Sequence, residues 1–215
     1  MKKVIKIFIS YFLDKKLFIV YFSKNYYLGK LYRYYLSAPA KFKQKLFVRY
    51  SSPNTTWIET GTYEGDTTEL LSNLSNKVYS IEPSDKYYQK SFQRLKKYEN
   101  VKLFHGTSEE CLETVLKKVN SENVSFWLDG HFSYGDTFEG PNHNPVLIEL
   151  EIIKKYSKSF KNVNILIDDI RTLTVQYSKS DKFDHPPLNK VIDWANNNKF
   201  TWHISRNILV MNRKA

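Results

Sequence analysis

The sequence predicts an α/β fold, a doubly wound and mostly parallel sheet with helices on both faces, preceded by a helical basic-aromatic N-terminal extension. Two observations carry this. From Trp57 onward, short strand-like runs alternate with longer helix-like runs, the pattern of βαβ units that cover a parallel sheet on both sides. The chain has 215 residues, 16% of them aromatic and only 7 Gly and 7 Pro, which supplies enough apolar surface for one substantial core and excludes a disordered chain. Neither an internal repeat nor a low-complexity tract competes with this reading.

The elements follow in order. "TWIET" reads as the first strand and "GDTTELLSNLS" as the first helix of the main domain, with Asp66 or Thr67 as its expected cap. "KVYSIEP" is a second strand, followed by the helix "SDKYYQKSFQRLKKY" with Ser84 as N-cap. "VKLFHGT" is a third strand and "SEECLETVLKKVN" its helix. "VSFWLDG" makes a fourth strand and, after an irregular loop, "PVLIELEIIKKYS" is a helix and "VNILIDDI" the fifth strand. "LNKVIDWANNN" and "FTWHISRNILVMN" supply a late helix and a strand pair. Trp127, Trp194 and Trp202 have the spacing of core residues.

Charge divides the chain. Residues 1–50 hold twelve Lys/Arg and one acid, Asp14, while residues 51–215 carry 21 basic and 21 acidic side chains. The net charge of +11 therefore belongs to the N-terminal segment, and a neutral main domain speaks against a nucleic-acid face. The single cysteine, Cys111, excludes an internal disulfide and a multi-Cys zinc site and points to the reducing cytoplasm.

Residues 1–50 interleave cations with Phe, Tyr and Ile. Lys6, Asp14, Lys15 and Lys16 interrupt the apolar stretch, so it reads neither as a secretory signal nor as a spanning helix. Rings with polar tips and long cationic stems suit the headgroup layer of an anionic membrane, the inner face of the cytoplasmic membrane. The competing reading is packing on the domain's own core or on a sister subunit in a homo-oligomer. Ala38-Pro39-Ala40 is expected to break the extension before a main domain that begins near Ser51.

The loop "GTYEG" joins the first strand to the first helix, at the carboxyl end of the strand. Glycines there permit a tight turn and close backbone approach to a ligand. Glu59 precedes them by two residues, and Glu82 ends the second strand about twenty residues on, where a carboxylate accepts both ribose hydroxyls of a nucleoside. An acid before the glycines suits a cationic ligand better than a pyrophosphate. S-adenosylmethionine, with its ammonium and sulfonium, is such a ligand.

The run "IETGTYEGDTTELL…KVYSIEPS…VKLFHGTSEECL…FWLDGHFSYGDTFEG…PVLIELEII…ILIDDIR" resembles the class I S-adenosylmethionine-dependent methyltransferases. It is similar in particular to a bacterial group associated with surface-polysaccharide biosynthesis. The resemblance covers roughly residues 55–175 and implies a seven-stranded Rossmann-like sheet with an antiparallel last strand. It implies that Glu59, Gly61, Thr62 and Gly65 line the methionine part of S-adenosylmethionine, that Glu82 holds the ribose, that Thr107 and Ser108 lie near adenine, and that Asp129 also touches the cofactor. Tyr63 replaces the middle glycine of the broad class, and Thr107 stands where an Asp is common.

In "FWLDGHFSYGDTFEG", Asp129 ends the fourth strand and His131 follows by two residues. A sugar hydroxyl attacking a methyl carbon must lose its proton, and His131 is the expected base. Tyr134 and Phe138 lie in the loop over the site, and His143 is a weaker candidate base. Asp168 and Asp169 end the fifth strand, so three neighbouring carboxylates, Asp129, Asp168 and Asp169, are candidate ligands for Mg²⁺ or another divalent cation. Where many relatives read "DGDHSY", this chain reads "DGHFSY". The implied activity is O-methylation of a glycan or glycolipid acceptor; the alternatives are N-methylation of a small molecule or amino sugar, and a non-catalytic partner that keeps the fold.

Overall fold

A computed structural model describes residues 38–131, 138–140, 142–174 and 185–214. Most of the basic-aromatic extension (1–37) and Tyr134 lie outside them. The elements are α1 (Ala40–Arg49), β1 (Thr55–Thr60), α2 (Asp66–Ser72), β2 (Lys77–Glu82), α3 (Asp85–Leu95), β3 (Val101–His105), α4 (Ser108–Leu116), β4 (Asn123–Leu128), α5 (Val146–Ser157), β5 (Asn162–Ile167), α6 (Arg171–Thr174), α7 (Leu188–Asn197), β6 (Thr201–Ser205) and β7 (Ile208–Lys214).

The described strands form one seven-stranded sheet in the order β3-β2-β1-β4-β5-β7-β6. β1 to β5 are parallel, and β7 runs antiparallel to both β5 and β6. Strand order reverses at β1, which has β2 on one side and β4 on the other. The loops leaving β1 and β4 therefore diverge to opposite faces and leave a crevice at their carboxyl ends.

Side chains alternate across this sheet. Ile58, Phe126 and Ile165 face α4, α5 and α7, while their neighbours Trp57, Trp127 and Leu166 face α1 and α2. Phe47 of α1 stands edge-on to Trp57 at 5.6 Å and to Trp127 at 4.9 Å between ring centroids. Such pairs add about 0.5–1.5 kcal/mol each to the area they bury. Thus α1 lies before the boundary expected near Ser51 yet packs into the core, because Leu46 and Phe47 cover apolar strand residues that would otherwise face water. Its opposite face exposes Lys41, Lys45 and Arg49 at four-residue spacing.

Helix starts follow local chemistry with one correction. Ser84 caps α3, its hydroxyl accepting from the Tyr87 amide, and Thr107 with Glu110 forms a reciprocal capping box on α4. For α2, neither Asp66 nor Thr67 is the cap. The chain enters through Gly65 at φ +84°, which places Asp66 inside the first turn, and no side chain caps the helix. Trp127 and Trp194 are buried as expected. Trp202 is 39% exposed, because β6 is the edge of the described sheet, where the indole N–H donates to Asn196 of α7.

Candidate active site

The crevice opens over the β1–α2 loop. Gly61 has φ +86°, and a Cβ there would lie 2.5 Å from the Asp129 carbonyl oxygen, so only glycine lets the two loops pass. Tyr63, two residues on, holds φ +50°, a strained conformation for a non-glycine residue. Glu82 helps to hold it there. Its Oε2 accepts from the Tyr63 amide at 2.7 Å and its Oε1 from the Ser84 amide at 2.9 Å. One carboxylate at the end of β2 thus ties together the loops after β1 and β2. Burial pushes the Glu82 pKa above the ordinary carboxylate value, and the two backbone amides pull it back.

Beside this carboxylate is a cavity of about 330 Å³, walled by Tyr63, Glu82, Tyr87, Asp129, His131 and Phe138. A narrower recess continues from it past Gly61 to Thr107 and Ser108 on α4. Five of the expected cofactor contacts therefore line connected space: Gly61 and Glu82 in the cavity, Asp129 opposite, and Thr107 and Ser108 in the recess; Gly65 lies behind the turn, against Leu95.

Glu59 and Thr62 lie elsewhere. Glu59 is fully buried beneath the loop on the α2 face, its Oε2 accepting from the Thr68 and Ser80 hydroxyls; Thr62 meets Ser80 in the same network. Neither lines the cavity. Desolvation raises the Glu59 pKa to about 7, against the lowering by its two hydroxyl donors. The alternation along β1 turns residue 59 toward α2 while residue 60 turns toward α5, and Glu59 Oε1 is buried with no hydrogen-bond partner among the described residues.

At the other wall, His131 is almost enclosed. Its Nδ1 is 3.7 Å from Asp129 Oδ1 and its Nε2 is 3.8 Å from Asp169 Oδ2, too long for hydrogen bonds but close enough to feel both charges. Burial lowers the His131 pKa below the usual imidazole value, with Asp169 and Asp168 opposing. That shift favours the neutral ring, the form that can accept a proton. Asp129 moves the other way: burial and the neighbouring Asp168 raise its pKa well above the carboxylate norm, and Lys43 pulls it down. His143 pairs with Glu139 at 3.1 Å and stands outside this group.

Sequence reasoning missed Lys43. Its ammonium pairs with Asp168 Oδ2, across 125 positions of sequence, and lies 5.1 Å from the Trp127 ring centroid. The one trace in the sequence is that Lys43, Leu46 and Phe47 share a helical face, which turns this lysine inward while its neighbours face out. Asp169 is also committed, accepting from Asn207 Nδ2 and pairing with Arg171 at 3.2 Å. Among the described residues, no three His, Cys, Asp or Glu side chains converge as ligands for a metal ion. The expected divalent site at Asp129, Asp168 and Asp169 does not fit this arrangement, since one carboxylate faces a lysine and another faces Asn207 and Arg171.

No family model and no curated protein matches the sequence. Solved structures do match in shape. An rRNA methylase from Streptococcus thermophilus has 18% identity over 83% of this chain and 98% of its own, with a TM-score of 0.51. The O-methyltransferase TomG from Streptomyces achromogenes, solved with S-adenosylmethionine, has 14% identity over 83% of this chain and 82% of its own, with a TM-score of 0.55.

The fold is that of the class I S-adenosylmethionine-dependent methyltransferases.

In a sheet of this methyltransferase topology, the described cavity occupies the switch point between β1 and β4, where doubly wound folds bind their ligands.

Proposed function

We propose that the protein is an S-adenosylmethionine-dependent O-methyltransferase that acts on a sugar hydroxyl of a bacterial surface glycan or its precursor. The observation that carries the methyl-transfer part is the placement of Glu82 and His131 on two walls of one cavity at the sheet's switch point. Gly61 supports it, since its missing Cβ brings backbone close to the same space. S-adenosylmethionine, when bound, supplies the electrophilic methyl group. Glu82 holds the ribose, Thr107 and Ser108 flank the adenine, and Gly61 lets the loop lie against the methionine part. His131 takes the proton from the attacking hydroxyl at one ring nitrogen. The carboxylates beside it favour the imidazolium that forms. Phe138 and Tyr63, both exposed and lining the cavity, offer apolar rings for a sugar to pack on.

The glycan acceptor rests on the sequence resemblance, and the exclusion of nucleic acid rests on the neutral charge of residues 51–215. Peripheral attachment to the inner face of the cytoplasmic membrane rests on the clustered charge of residues 1–50, to which the exposed Lys41, Lys45 and Arg49 of α1 contribute. Among the described residues no helix is long and apolar enough to cross a membrane. The deciding experiment is mass spectrometry of surface glycans from cells with the gene, without it, and with His131→Ala in its place. A methyl-sized mass present only with the intact gene is expected. Identical glycans in all three, or methyl incorporation into rRNA by the purified protein, would remove the glycan assignment.

A further inference from the structure

The strand-end carboxylates raise a question of charge. Asp129, Asp168 and Asp169 gather at the ends of two adjacent strands, and Asp168 is 5% exposed. Three such groups without a counter-charge would repel one another across a poorly solvated site. Arg171 and Asn207 serve Asp169 from the outer side. The inner side is served by Lys43.

Several features make Lys43 a fixture rather than a passing surface contact. Its ammonium meets Asp168 Oδ2, and the two side chains are only 23% and 4% exposed. Asp129 and Asp169 add their attraction from further away. The Trp127 ring lies 5.1 Å from the ammonium, and Trp127 is itself 1% exposed and gripped edge-on by Phe47. Leu46 and Phe47, three and four residues on, bury the same face of α1. The lysine is thus delivered to the carboxylates by a helix whose own packing fixes where the stem begins. Asp168 Oδ1 remains buried with no hydrogen bond among the described residues, so the carboxylate has room for one further donor on its other oxygen.

We propose that Lys43 is a positioning residue that acts as the permanent cation of this carboxylate cluster, standing where a divalent ion would otherwise bind, so that the site takes no metal. The lysine holds Asp168 in place, and Asp168 with Asp129 and Asp169 sets the field around His131. The inference does not depend on which acceptor is methylated, or on methylation being the reaction.

The test is a titration of the whole chain with Mn²⁺, followed by electron paramagnetic resonance and by the melting temperature. The native protein is expected to show no saturable Mn²⁺ binding and no shift in Tm. Lys43→Ala removes the ammonium and frees Asp168 beside Asp129, while Asp169 keeps Arg171 and Asn207. It is expected to melt at lower temperature, to gain one saturable Mn²⁺ site, and to regain stability as that site fills. Lys43→Arg keeps a cation there and is expected to stay blind to Mn²⁺. Should Lys43→Ala fail to fold, Lys43→Met keeps the stem on Trp127 and carries the same comparison. Saturable Mn²⁺ binding by the native protein overturns the proposal, and so does a folded Lys43→Ala or Lys43→Met protein that gains no Mn²⁺ site.

Discussion

Replacing Glu82 by alanine separates its two tasks. In the free protein its carboxylate accepts the Tyr63 amide at 2.7 Å and the Ser84 amide at 2.9 Å. Removing it leaves two amides without an acceptor, at about 1–3 kcal/mol each where water cannot reach them. It also unpins Tyr63, which sits at φ +50°. That cost falls on the free and bound protein alike and should appear in the melting temperature. The ribose bonds exist only in the complex, and losing two charge-assisted bonds costs about 2–4 kcal/mol, or roughly thirty-fold to a thousand-fold in affinity. Calorimetric titration of folded Glu82→Ala with S-adenosylmethionine should show at least a thirty-fold rise in Kd, beside a lower Tm. Glu82→Gln is not a silent control, because the Tyr63 and Ser84 amides meet different carboxylate oxygens and in Gln one of those positions becomes an NH₂ facing a donor; it should fall between the two. A Tm that drops while Kd stays within about threefold of the native value would mean that Glu82 only ties the loops, and the ribose assignment would be refuted.

Other expectations follow from the same geometry. His131→Ala should lower kcat by about 10²–10⁴ with cofactor affinity little changed. Because burial lowers the His131 pKa, native kcat should fall as pH drops through an inflection below the usual histidine value, and the mutant profile should lack that step. Glu149, 1% exposed on α5, has its pKa raised to about 7 by desolvation. A carboxyl raised in the folded state favours folding below its unfolded value of 4.5, and that contribution is lost as pH rises through about 7. Glu149→Gln should therefore melt like the native protein near pH 4.5 and be more stable at pH 8 by on the order of 3 kcal/mol; equal Tm values at both pH values would remove the charge argument. Full-length protein should bind vesicles of anionic lipid and release them as salt rises, while a chain beginning at Ala38 should bind more weakly and remain folded. A chain beginning at Ser51 lacks Phe47 and Lys43 and should lose stability, so it is the wrong comparison for membrane binding. Full-length protein that ignores anionic vesicles at low salt would turn the N-terminal segment into a packing or oligomer element.

What the sequence determined by itself was mostly local. Apolar runs at strand length, separated by helix-length amphipathic runs, located β1 to β5 and the closing pair, because each element must bury its own face whatever its neighbours are. Ser84 as a cap was equally legible, since a cap bonds within its own first turn. Glu82 and His131 could be named as candidates lining one cavity because they stand at or just after strand ends, and in a parallel sheet all those ends open on one side. The tertiary structure decided what depends on distant partners. Whether Glu59 faces the ligand or the α2 side turned on strand alternation relative to helices packed afterwards. Trp202 has core spacing, yet its strand became the sheet edge, where the residue stays 39% exposed and its indole N–H donates to Asn196 of α7. Lys43 differs in sequence from the surrounding basic residues only in sharing a helical face with Leu46 and Phe47, and the packing of Phe47 between Trp57 and Trp127 carries it to Asp168. A charge reports its sign in the sequence, but its partner is chosen by chain elements that meet only once the sheet has formed.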